Sequence, residues 1–568
     1  MLSTFTYPEF EAVCPPEIES GASGSYAVIV VGAGPVGLCT AIDLAKQGKK
    51  VLLLDNDHTV SIGSRGVCYA KRTLEVLDRL GCGDQMVNKG VSWNVGRTFF
   101  QNDEVFNFNL CPEPDHHRPG MINLQQYYLE DYLVKHARSL PNLEMRFKNT
   151  VTEVHNGENQ VQISVDTPFG TYQLSTEWLV VADGARSPIR RMLGLDIEGK
   201  IFTDRFLIAD VIMKADFPSE RWFWFDPPFH RHQSVLLHRQ ADNVFRIDFQ
   251  LGWDADPEEE KKPENVIPRI KAMLGPEHEF ELEWVSVYTF QCRRMANFKH
   301  QRILFTGDAA HQVSPFGARG ANSGIQDADN LAWKLNLVLD KKAPESLLDT
   351  YTQERGFAAD ENIMNSTRST DFITPKSRVS KVFRNAVLNL AETQPFARGL
   401  VNSGRLSVPS FLADSSLNTP DSDAFQSKMI PGAPMEDAPV ESNGATHWLL
   451  RYTGNQFVAL RYHTVLTEDS INELLALKRH LDTLSITVRL VCVTAQGTHT
   501  HTPALQTAGI EMLVDCAGRI TERYDMKDGT TYLVRPDQHI VARWRSATPS
   551  DLTAAIATAT CNTPEALV

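Results

Sequence analysis

The hydrophobic positions near the start of the chain predict a strand, a turn, a helix and a second strand. Residues 26–31 form an unbroken apolar run, which is typical of a strand buried on both faces. A glycine-rich turn follows, residues 36–47 have the apolar spacing of a helix, and residues 51–54 form a second apolar run. Such a β-α-β unit has parallel strands joined by a right-handed crossover, so the pattern predicts an open, doubly wound α/β sheet.

The pattern changes between residues 201 and 295, where apolar and polar positions alternate in aromatic-rich runs. The runs at 221–225 and 244–249 are bounded by turn residues, as antiparallel strands usually are. We therefore expect a β-rich domain inserted into the α/β domain. Helical spacing at 323–340 and 343–366 marks the return of the chain to the first domain.

The remaining segments predict an N-terminal arm, a linker and a separate C-terminal domain. Residues 405–445 are rich in Ser, Pro, Asp and Asn and show no periodicity, which is typical of a linker. Beyond them, strands near 448–452, 456–461, 486–493, 531–535 and 539–543 alternate with helices near 468–482 and 549–560. The expected organisation is an arm (1–25), the α/β domain in two parts (26–200 and 296–404), the inserted β domain (201–295), the linker (405–445) and an α/β tail (446–568).

Composition and charge narrow the class of protein. The chain has 568 residues, 42% of them hydrophobic and 22% charged, which is ordinary for a globular protein of several domains. Its net charge of -14 and the absence of a Lys/Arg block argue against a nucleic-acid partner. No apolar run reaches the roughly 20 residues of a membrane span. The nine cysteines have no C-x-x-C or metal-ligand spacing, so we expect a cytoplasmic protein without a metal site.

The turn after the first strand carries the first chemical motif. The hexapeptide at 32–37, GAGPVG, matches G-x-G-x-x-G and lies between a strand and a helix, as that motif requires. Gly32 permits a tight turn, Gly34 lets the backbone approach a pyrophosphate, and Gly37 allows close helix packing. Asp55, after the second strand, is placed to bind a ribose hydroxyl. With Pro35 these residues predict a dinucleotide site, but they do not separate FAD from NAD.

Two later strands also end at an aspartate. Asp183 opens an Asp-Gly turn, which by itself fits a simple strand end as well as a ligand site. Asp308 precedes a glycine-rich segment that leads into a helix. It can accept hydrogen bonds from a sugar-like chain, and the backbone amides that follow can hold a planar ring. Ligands of open α/β sheets bind at such strand ends.

Together these motifs resemble the single-component FAD-dependent aromatic hydroxylases, the para-hydroxybenzoate and phenol hydroxylase superfamily, including members similar to 3-(3-hydroxyphenyl)propionate hydroxylase. The resemblance is strong over about residues 26–370 and weak in the tail. It implies a Rossmann-like FAD-binding domain with an inserted antiparallel β substrate domain. It also implies that NADPH or NADH and O2 are used to hydroxylate a small phenolic substrate through a flavin C4a-hydroperoxide.

The resemblance also assigns cofactor contacts. Asp55 would bind the adenosine ribose, Asp308 the ribityl chain, and Asp183 both FAD and NAD(P)H. Arg65 and Gln126 would make further flavin and phosphate contacts, with the adjacent Gln125 as an alternative to Gln126. The other implied contacts are Gly184, Arg190, Gly307, Pro315, Gly317, Gly320 and Asn322.

Three residues of the β-rich domain are candidates for a direct part in the reaction. Arg246 lies on a strand where the family often has an arginine reaching toward the flavin, although a solvated strand charge fits equally well. His238 and Phe225 face the substrate cavity if the expected strand registers hold. A slip of one residue would turn both away.

The tail resembles the thioredoxin-like C-terminal domain of some of these hydroxylases, at 515–518, 523–524 and 533–537. It lacks C-x-x-C, so Cys492 and Cys516 are expected to be buried apolar residues without a redox role. Packing, or contact in a homodimer, is the expected role of this domain.

Two alternatives compete with hydroxylation. Residues 222–227, WFWFDP, approach the W-x-W-x-I-P pattern of flavin-dependent halogenases, with Asp226 in place of isoleucine. A flavin-binding redox sensor or scaffold without turnover is the second alternative, with the tail as its output module. A dedicated β-rich domain implies a substrate cavity and so favours an enzyme.

Overall fold

The computed structural model describes residues 4–401, 406–495 and 503–568. The chain divides into two compact units. The first consists of Met1–Pro112, Arg118–Ala328 and Ala359–Val408, and the second of Glu113–His117, Asp329–Ala358 and Pro409–Val568. Among the described helices, none is both long and apolar enough to span a bilayer.

The first unit contains the predicted parallel sheet. Gly24–Val31 pairs in parallel with Val51–Leu54 on one side and with Gly170–Val181 on the other. Leu143–Arg146 and Ile303–Phe305 extend the sheet in parallel at either end. Thr150–Asn156, Val161–Thr167 and Lys299–His300 add antiparallel pairs. The α/β fold class is therefore confirmed.

Among the described residues, twelve α-helices lie wholly or partly in the first unit. The helices predicted at 323–340 and 343–366 are found as Gly320–Leu339 and Asp349–Ile373. The others are Pro16–Ser20, Pro35–Lys46, Lys71–Leu80, Gly83–Lys89, Gln126–Arg138, Pro188–Met192, Pro257–Glu260, Pro263–Leu274, Arg378–Thr393 and Pro395–Val401. Two 3-10 helices, Gly307–Ala309 and Glu345–Leu348, lie between them in sequence.

A seven-stranded sheet forms the β-rich part of the first unit. In spatial order its strands are Glu281–Tyr288, Arg205–Ile212, Val244–Leu251, Ser234–Arg239, Arg221–Phe225, Val95–Phe100 and Asp103–Asn109. The last two come from the segment assigned to the α/β domain, so the expected sheet of 201–295 was incomplete. Val95–Phe100 pairs in parallel with Arg221–Phe225 across a long sequence separation, and local alternation carries no information on such a partner.

Two small sheets complete the first unit. Cys68–Ala70, Met121–Asn123 and Val91–Trp93 form one three-stranded antiparallel sheet. Glu198–Ile201, Gln291–Arg294 and His311–Gln312 form the other.

The second unit contains a mixed seven-stranded sheet. Its strands, in spatial order, are Ala445–Trp448, Pro439–Ser442, Glu511–Asp515, Val488–Ala495, Phe457–His463, Thr531–Val534 and Ile540–Trp544. Its helices are Glu468–Leu481, Pro503–Thr507, Arg519–Arg523, Pro549–Ala559 and Pro564–Leu567, with a 3-10 helix at Leu449–Tyr452. The predicted strand near 448–452 is therefore wrong. The thioredoxin-like character of this unit stays a prediction.

The segment expected to be a linker carries part of the second unit's core. Met429, Ala433, Met435 and Ala438 are buried in one cluster with residues of the sheet. The segment lacks periodicity because it runs over the sheet edge as irregular chain, yet it buries apolar side chains all the same. Polar composition alone misidentified it as a linker.

Candidate active site

One cavity of about 1230 Å³ lies within the first unit. The glycine turn, the ends of the parallel strands and one face of the seven-stranded sheet line it. Pockets for a single small ligand typically measure roughly 300–1,000 Å³. The cavity therefore has room for a dinucleotide and a small second ligand.

The glycine turn has the geometry that pyrophosphate binding requires. Gly32 has a φ of 109°, and a Cβ there would lie 2.4 Å from the Ala182 carbonyl oxygen. A Cβ on Gly37 would lie 1.9 Å from the Gly32 carbonyl oxygen, so only glycine permits this helix to pack so closely. Gly34 lines the cavity, and no atom lies within 4 Å of the position of its missing Cβ. A ligand can therefore approach the backbone at Gly34.

Asp55 stands beside this turn at the end of its strand. Its Oδ2 accepts a hydrogen bond from the Ala33 amide at 2.5 Å, and its Oδ1 accepts one from the Asp57 amide at 2.7 Å. Burial raises the pKa of the Asp55 carboxyl. The two amides hold the carboxylate against the turn, with acceptor capacity left for a hydroxyl in the cavity.

Asp183 presents an unsatisfied oxygen at the second strand end. Its Oδ2 accepts a hydrogen bond from the Ile189 amide at 3.2 Å, whereas its buried Oδ1 has no partner. Burial raises the pKa of this carboxyl. Gly184 also lines the cavity. A buried acceptor without a donor favours a ligand that supplies one.

Arg190 is not among the residues that line the cavity. Its guanidinium donates to the Ala309 carbonyl at 2.7 Å and to the Ala185 carbonyl at 3.1 Å. The short helix Pro188–Met192 turns this side chain inward, where it ties two loops together. Its role as a cofactor contact stays a prediction, and Arg186 and Arg191 are the neighbouring arginines that line the cavity.

Asp308 lies where the third strand end meets the cavity. Its carboxylate is open to the cavity and has no hydrogen-bond partner among the described residues. The protein around it raises the pKa of the carboxyl by desolvation, an effect that His311 partly opposes. A ligand with several hydroxyl groups would satisfy this acceptor.

The segment after Asp308 brings a helix N-terminus to the cavity. Pro315, Gly320 and Asn322 line it, and the helix Gly320–Leu339 begins there. Asn322 accepts a hydrogen bond from the Ala70 amide at 2.8 Å and donates to the Cys68 carbonyl at 2.9 Å, so its side chain joins this segment to a neighbouring strand. The first-turn amides of the helix favour an acceptor-rich group.

Gly307 and Gly317 do not line the cavity and act on the backbone instead. A Cβ on Gly307 would lie 3.0 Å from the Val36 side chain. Gly317 has a φ of 102°, and a Cβ there would overlap the Arg319 guanidinium. Both glycines therefore permit the loop conformation, and their direct contact with a cofactor stays a prediction.

Gln126, rather than Gln125, lines the cavity. Its Oε1 accepts a hydrogen bond from the Gly66 amide at 2.9 Å, and its amide nitrogen donates to Glu130 at 2.7 Å. Gln125 is buried and donates to the Ala241 carbonyl at 3.1 Å. Of the two glutamines, Gln126 is therefore the better candidate for a cofactor contact. Arg65 is exposed and also lines the cavity.

Arg246 and His238 lie side by side on the sheet face that lines the cavity. Arg246 is a buried ion-pair residue rather than a solvated charge: its guanidinium donates to both Asp210 oxygens at 2.9 Å. It also donates to the Ser64 carbonyl. His238 lies between Arg246 and Arg221 on adjacent strands. Burial and these two cations lower the pKa of His238 well below its usual range, which keeps the ring neutral.

Phe225 lies on the same face but not in the cavity. Alternation places it with Arg221 on one side of the strand, so the predicted register is correct. Its ring packs 4.8 Å from that of Phe223 and 5.6 Å from that of Phe372, and it is fully buried. It therefore packs in the core, and its part in the reaction stays a prediction.

The sheet contributes cavity residues that sequence reasoning missed. They are Ile208, Arg221, Leu236, Asp248, Trp284, Ser286 and Tyr288. Asp248 is two residues beyond Arg246, so period-two alternation from a correct Arg246 assignment would have found it. Arg221 is directly opposite His238, and finding it would have required the strand pairing.

The same end of the cavity is partly apolar. Trp93, Met121, Ile208, Leu236 and Leu406 line it together with the ionisable groups of the sheet. Small-molecule sites commonly combine apolar walls with a few fixed polar groups. An aromatic ring with a polar substituent suits these walls.

The residues present fit FAD. The open space at Gly34 suits a pyrophosphate, and the orphaned Asp183 oxygen and the unpaired Asp308 carboxylate suit a ligand rich in donors. No group of three or more His, Cys, Asp or Glu that could hold a metal ion occurs among the described residues.

A doubly wound sheet with a dinucleotide turn, joined to an antiparallel sheet over the same cavity, defines the class of flavin-binding oxidoreductases. The chain belongs to the FAD binding domain family, whose model matches residues 25–366. This match confirms the FAD-binding part of the resemblance, and the curated relatives, which are aromatic hydroxylases, confirm the rest and do not favour the halogenase alternative.

Curated relatives are aromatic hydroxylases. The chain is 30% identical over 342 residues to para-nitrophenol 4-monooxygenase of Pseudomonas sp. strain WBC-3, covering 58% of this chain and 82% of that protein. It is 32% identical to a probable NADH-specific resorcinol 4-hydroxylase of Rhodococcus jostii, covering 58% of this chain and 62% of that protein. It is 27% identical to 3-(3-hydroxy-phenyl)propionate/3-hydroxycinnamic acid hydroxylase of Escherichia coli K12, covering 66% and 67%.

Solved structures share the fold over nearly the whole chain. The flavin-dependent monooxygenase PieE, in complex with FAD and substrate, aligns with a TM-score of 0.76 at 20% identity, covering 95% of this chain and 98% of that one. Aklavinone-11 hydroxylase, in complex with FAD and aklavinone, aligns with a TM-score of 0.74 at 22% identity, covering 95% and 100%. These likenesses extend the shared fold into the second unit.

Proposed function

We propose that this protein is an FAD-dependent monooxygenase that uses NADH or NADPH and O2 to hydroxylate a phenolic substrate. The observation that carries the proposal is that the dinucleotide turn and Asp308 share one cavity with a partly apolar, ionisable sheet face. The relatives named for nitrophenol, resorcinol and hydroxyphenylpropionate support a small phenol as the substrate class.

Different residues along the cavity would bind different parts of the cofactor and the substrate. The backbone at Gly32 and Gly34 would take the pyrophosphate, Asp55 a ribose hydroxyl and Asp308 the hydroxyls of the ribityl chain. Bound FAD supplies electron transfer from NAD(P)H and the activation of O2. The apolar wall around Trp93 holds the substrate ring and excludes water that would compete with it.

Arg246 is the residue of the sheet best placed to position the cofactor's ring. It lines the cavity while Asp210 and the Ser64 carbonyl fix its guanidinium. A fixed buried cation costs little reorganisation when negative charge develops nearby. We assign it a positioning role in flavin reduction.

The test is a panel of phenols and hydroxylated aromatic acids, scored by stimulated NAD(P)H oxidation and by product mass under isotopically labelled O2. We expect slow oxidation without an aromatic, faster oxidation with a suitable phenol, and one labelled oxygen in the product, ortho or para to the existing hydroxyl. Label from water, or a dehydrogenated product without new oxygen, would contradict the proposal.

The same panel tests the alternatives. Brominated product from bromide, reduced flavin and O2 would identify a halogenase. Failure of every phenol to stimulate NAD(P)H oxidation in an FAD-loaded protein would favour a redox sensor or scaffold. For the whole protein we also propose a cytoplasmic location, where NAD(P)H is available, and a structural or homodimer-forming role for the tail.

A further inference from the structure

Arg221 and Asp248 are charged side chains on the sheet face that are buried with no hydrogen-bond or ion-pair partner among the described residues. Arg221 and Asp248 are each 7% exposed, and both line the cavity. Neither makes a hydrogen bond or an ion pair within 4 Å with any described residue. A buried charge without a partner is costly, so proteins keep one where a ligand completes it.

Asp248 is an acceptor on this face that no described residue satisfies. Its buried Oδ1 has no hydrogen-bond donor. Asp210, the nearby acid on the adjacent strand, is occupied by Arg246 and by the Gln240 amide, which donates at 3.1 Å. Burial raises the pKa of Asp248 to about 7, although Arg246 and Arg221 oppose the rise. The carboxyl therefore changes charge near neutral pH.

Arg221 is a buried cation for which the described part of the chain supplies no hydrogen-bond acceptor and no anion within 4 Å. Its closest described aromatic contact is the Phe223 ring, whose centroid lies 5.7 Å from the guanidinium carbon. Burial lowers its pKa, while Cys68, Asp248 and Tyr288 act in the opposite direction. An arginine cannot be neutralised at physiological pH, so it requires an anion or an acceptor from the ligand.

His238 is a poor proton acceptor despite its buried Nε2 without a partner. It lies between Arg221 and Arg246, and a third positive charge there would be repelled by both. Its Nδ1 lies 3.6 Å from the Cys68 thiol. The ring can orient a ligand, but it cannot readily hold an added proton.

We propose that Asp248 accepts the proton of the substrate's ring hydroxyl and that Arg221 stabilises the phenolate oxygen that results. This inference rests on the proposed function and names the proton acceptor of that site. The O–H bond of the phenol breaks, its electron pair stays on the phenolate oxygen, and the proton forms the O–H bond of the Asp248 carboxylic acid. The phenolate ring is then the more nucleophilic form that hydroxylation needs.

Several ionisable groups face Asp248 from neighbouring strands and loops. They are Arg246 and Asp210, which pair with each other, Arg221, neutral His238, and the Tyr288 phenol and Cys68 thiol, whose pKa values burial raises. The charges of Arg246 and Asp210 cancel and the other groups are neutral, so the net charge of the groups around Asp248 is the single positive charge of Arg221. Proton transfer converts an Asp248 carboxylate and a neutral phenol into a neutral acid and a phenolate beside the same cation.

The test uses 3-nitrophenol and the FAD-loaded protein, one pH unit above the Asp248 pKa. The neutral and ionised forms of this probe absorb at different wavelengths, so the spectrum reports the ionisation of bound probe without turnover. Proton release to the solvent is measured in the same titration by calorimetry in buffers of different ionisation enthalpy. We expect wild-type protein to bind the probe as phenolate and to release less than half a proton per probe bound.

Variants separate the two roles. Asp248→Asn, which keeps the shape of the side chain, should bind the probe either as neutral phenol or as phenolate with one proton released. Arg221→Met should bind it as neutral phenol, whereas Arg221→Lys should restore part of the phenolate spectrum. Asp216→Asn, at an exposed aspartate outside the cavity, is the matched control and should behave as wild type in both measurements.

Other outcomes overturn the proposal. Wild-type protein that binds 3-nitrophenol only as neutral phenol, or does not bind it, contradicts it. So does Asp248→Asn protein that shows the phenolate spectrum with no proton released, because another residue then holds the proton. Ionisation on binding combined with failure of labelled O2 to enter any product would leave the proton acceptor assigned and reject the monooxygenase function instead.

A pH profile supplies a second readout. Below the Asp248 pKa of about 7 the carboxyl already carries a proton, so kcat/KM for a phenol should fall as pH decreases through that value. In Asp248→Asn this limb should disappear and the plateau should drop by roughly 10²–10⁴-fold, the usual contribution of a positioned acid or base. A retained limb in the variant contradicts the assignment.

Discussion

Asp308 and Asp183 share a property at the scale of the single residue: each turns a carboxylate oxygen toward the cavity without a donor from the described protein. Burial raises the pKa of both carboxyls, which means that the fold holds them at some cost. A ligand that donates to them recovers that cost on binding. We therefore propose that both contribute to cofactor affinity rather than to stability.

Asp308→Ala should weaken FAD retention without unfolding the protein. Hydrogen bonds to charged groups contribute about 1.5–3 kcal/mol, so the dissociation constant should rise by roughly 10- to 100-fold. Flavin fluorescence after dilution measures the loss. Asp216→Ala, an exposed aspartate outside the cavity, is the control and should retain FAD as wild type does. Unchanged retention in Asp308→Ala would contradict the assignment.

Asp248→Asn should change stability in a pH-dependent way. Because burial raises the folded-state pKa of Asp248 to about 7, the fold favours the protonated form. Stability is therefore lost in wild-type protein as pH rises from about 4 to 7, at up to about 1.4 kcal/mol per pH unit. The variant should be the more stable of the two at pH 8, and the difference should vanish near pH 4. Thermal unfolding of both proteins at pH 4 and pH 8 measures the difference in stability. The same difference at both pH values would contradict the prediction.

Arg246→Lys should slow flavin reduction or uncouple it from hydroxylation while FAD stays bound. Lysine keeps the charge but lacks the planar fork that donates from two nitrogens to the two Asp210 oxygens and from one of them also to the Ser64 carbonyl. Anaerobic stopped-flow reduction by NAD(P)H and the yield of peroxide per NAD(P)H measure the effect. Wild-type reduction and coupling in this variant would remove the positioning role.

Residue-level prediction succeeded where a role depends on local backbone chemistry. The hexapeptide 32–37 and the two strand-end aspartates are recognisable because a tight turn and a strand end constrain neighbours in sequence. Asp248 and Arg221 have no such signature. Their importance comes from sharing a face with His238 across paired strands, and strand pairing is a long-range property.

At the scale of the element, two glycines of the same turn have different roles: Gly37 permits close helix packing, and Gly34 leaves space for a ligand. Gly37→Ala should lower stability, because its Cβ would lie 1.9 Å from the Gly32 carbonyl oxygen. Overpacking of this kind typically costs about 1–3 kcal/mol. Gly34→Ala should leave the apoprotein's stability unchanged and weaken FAD binding, since its Cβ would enter open cavity. Thermal unfolding of both apoproteins and FAD titration decide it; equal stability losses would contradict the distinction.

Element boundaries were well predicted where apolar spacing is strong. The helix predicted at 468–482 is Glu468–Leu481, and the strand predicted at 531–535 is Thr531–Val534. The strand expected near 448–452 is instead the 3-10 helix Leu449–Tyr452, because a short apolar run fits either structure. Glu511–Asp515 was missed, since a five-residue strand leaves too few positions to define a period.

At the scale of the whole molecule, the second unit offers no thiol pair suited to redox cycling among its described residues. Cys492 is fully buried, and burial raises the pKa of its thiol to about 12. Cys516 is half-buried and its pKa is also raised. Reactive thiols need the opposite shift.

The double variant Cys492→Ser, Cys516→Ser should therefore retain nearly wild-type turnover. The buried hydroxyl at 492 should lower stability by about 1–3 kcal/mol. A second double variant with Cys492→Ala instead of Cys492→Ser avoids the buried hydroxyl and so distinguishes this loss of stability from the loss of a thiol function. NAD(P)H oxidation with a phenol, normalised to bound FAD, measures turnover. A selective loss of turnover with normal folding and flavin content would show that the tail has a thiol function.

The parallel pairing of Val95–Phe100 with Arg221–Phe225 also bears on how the protein is made. During translation Val95–Phe100 leaves the ribosome long before Arg221–Phe225 is synthesised. Until then, the backbone donors and acceptors on that edge of the strand are unpaired. An unpaired edge can join another nascent chain, so this interval is the time of greatest aggregation risk. Substitutions along that edge should therefore reduce the yield of folded protein more than the turnover of the molecules that complete folding.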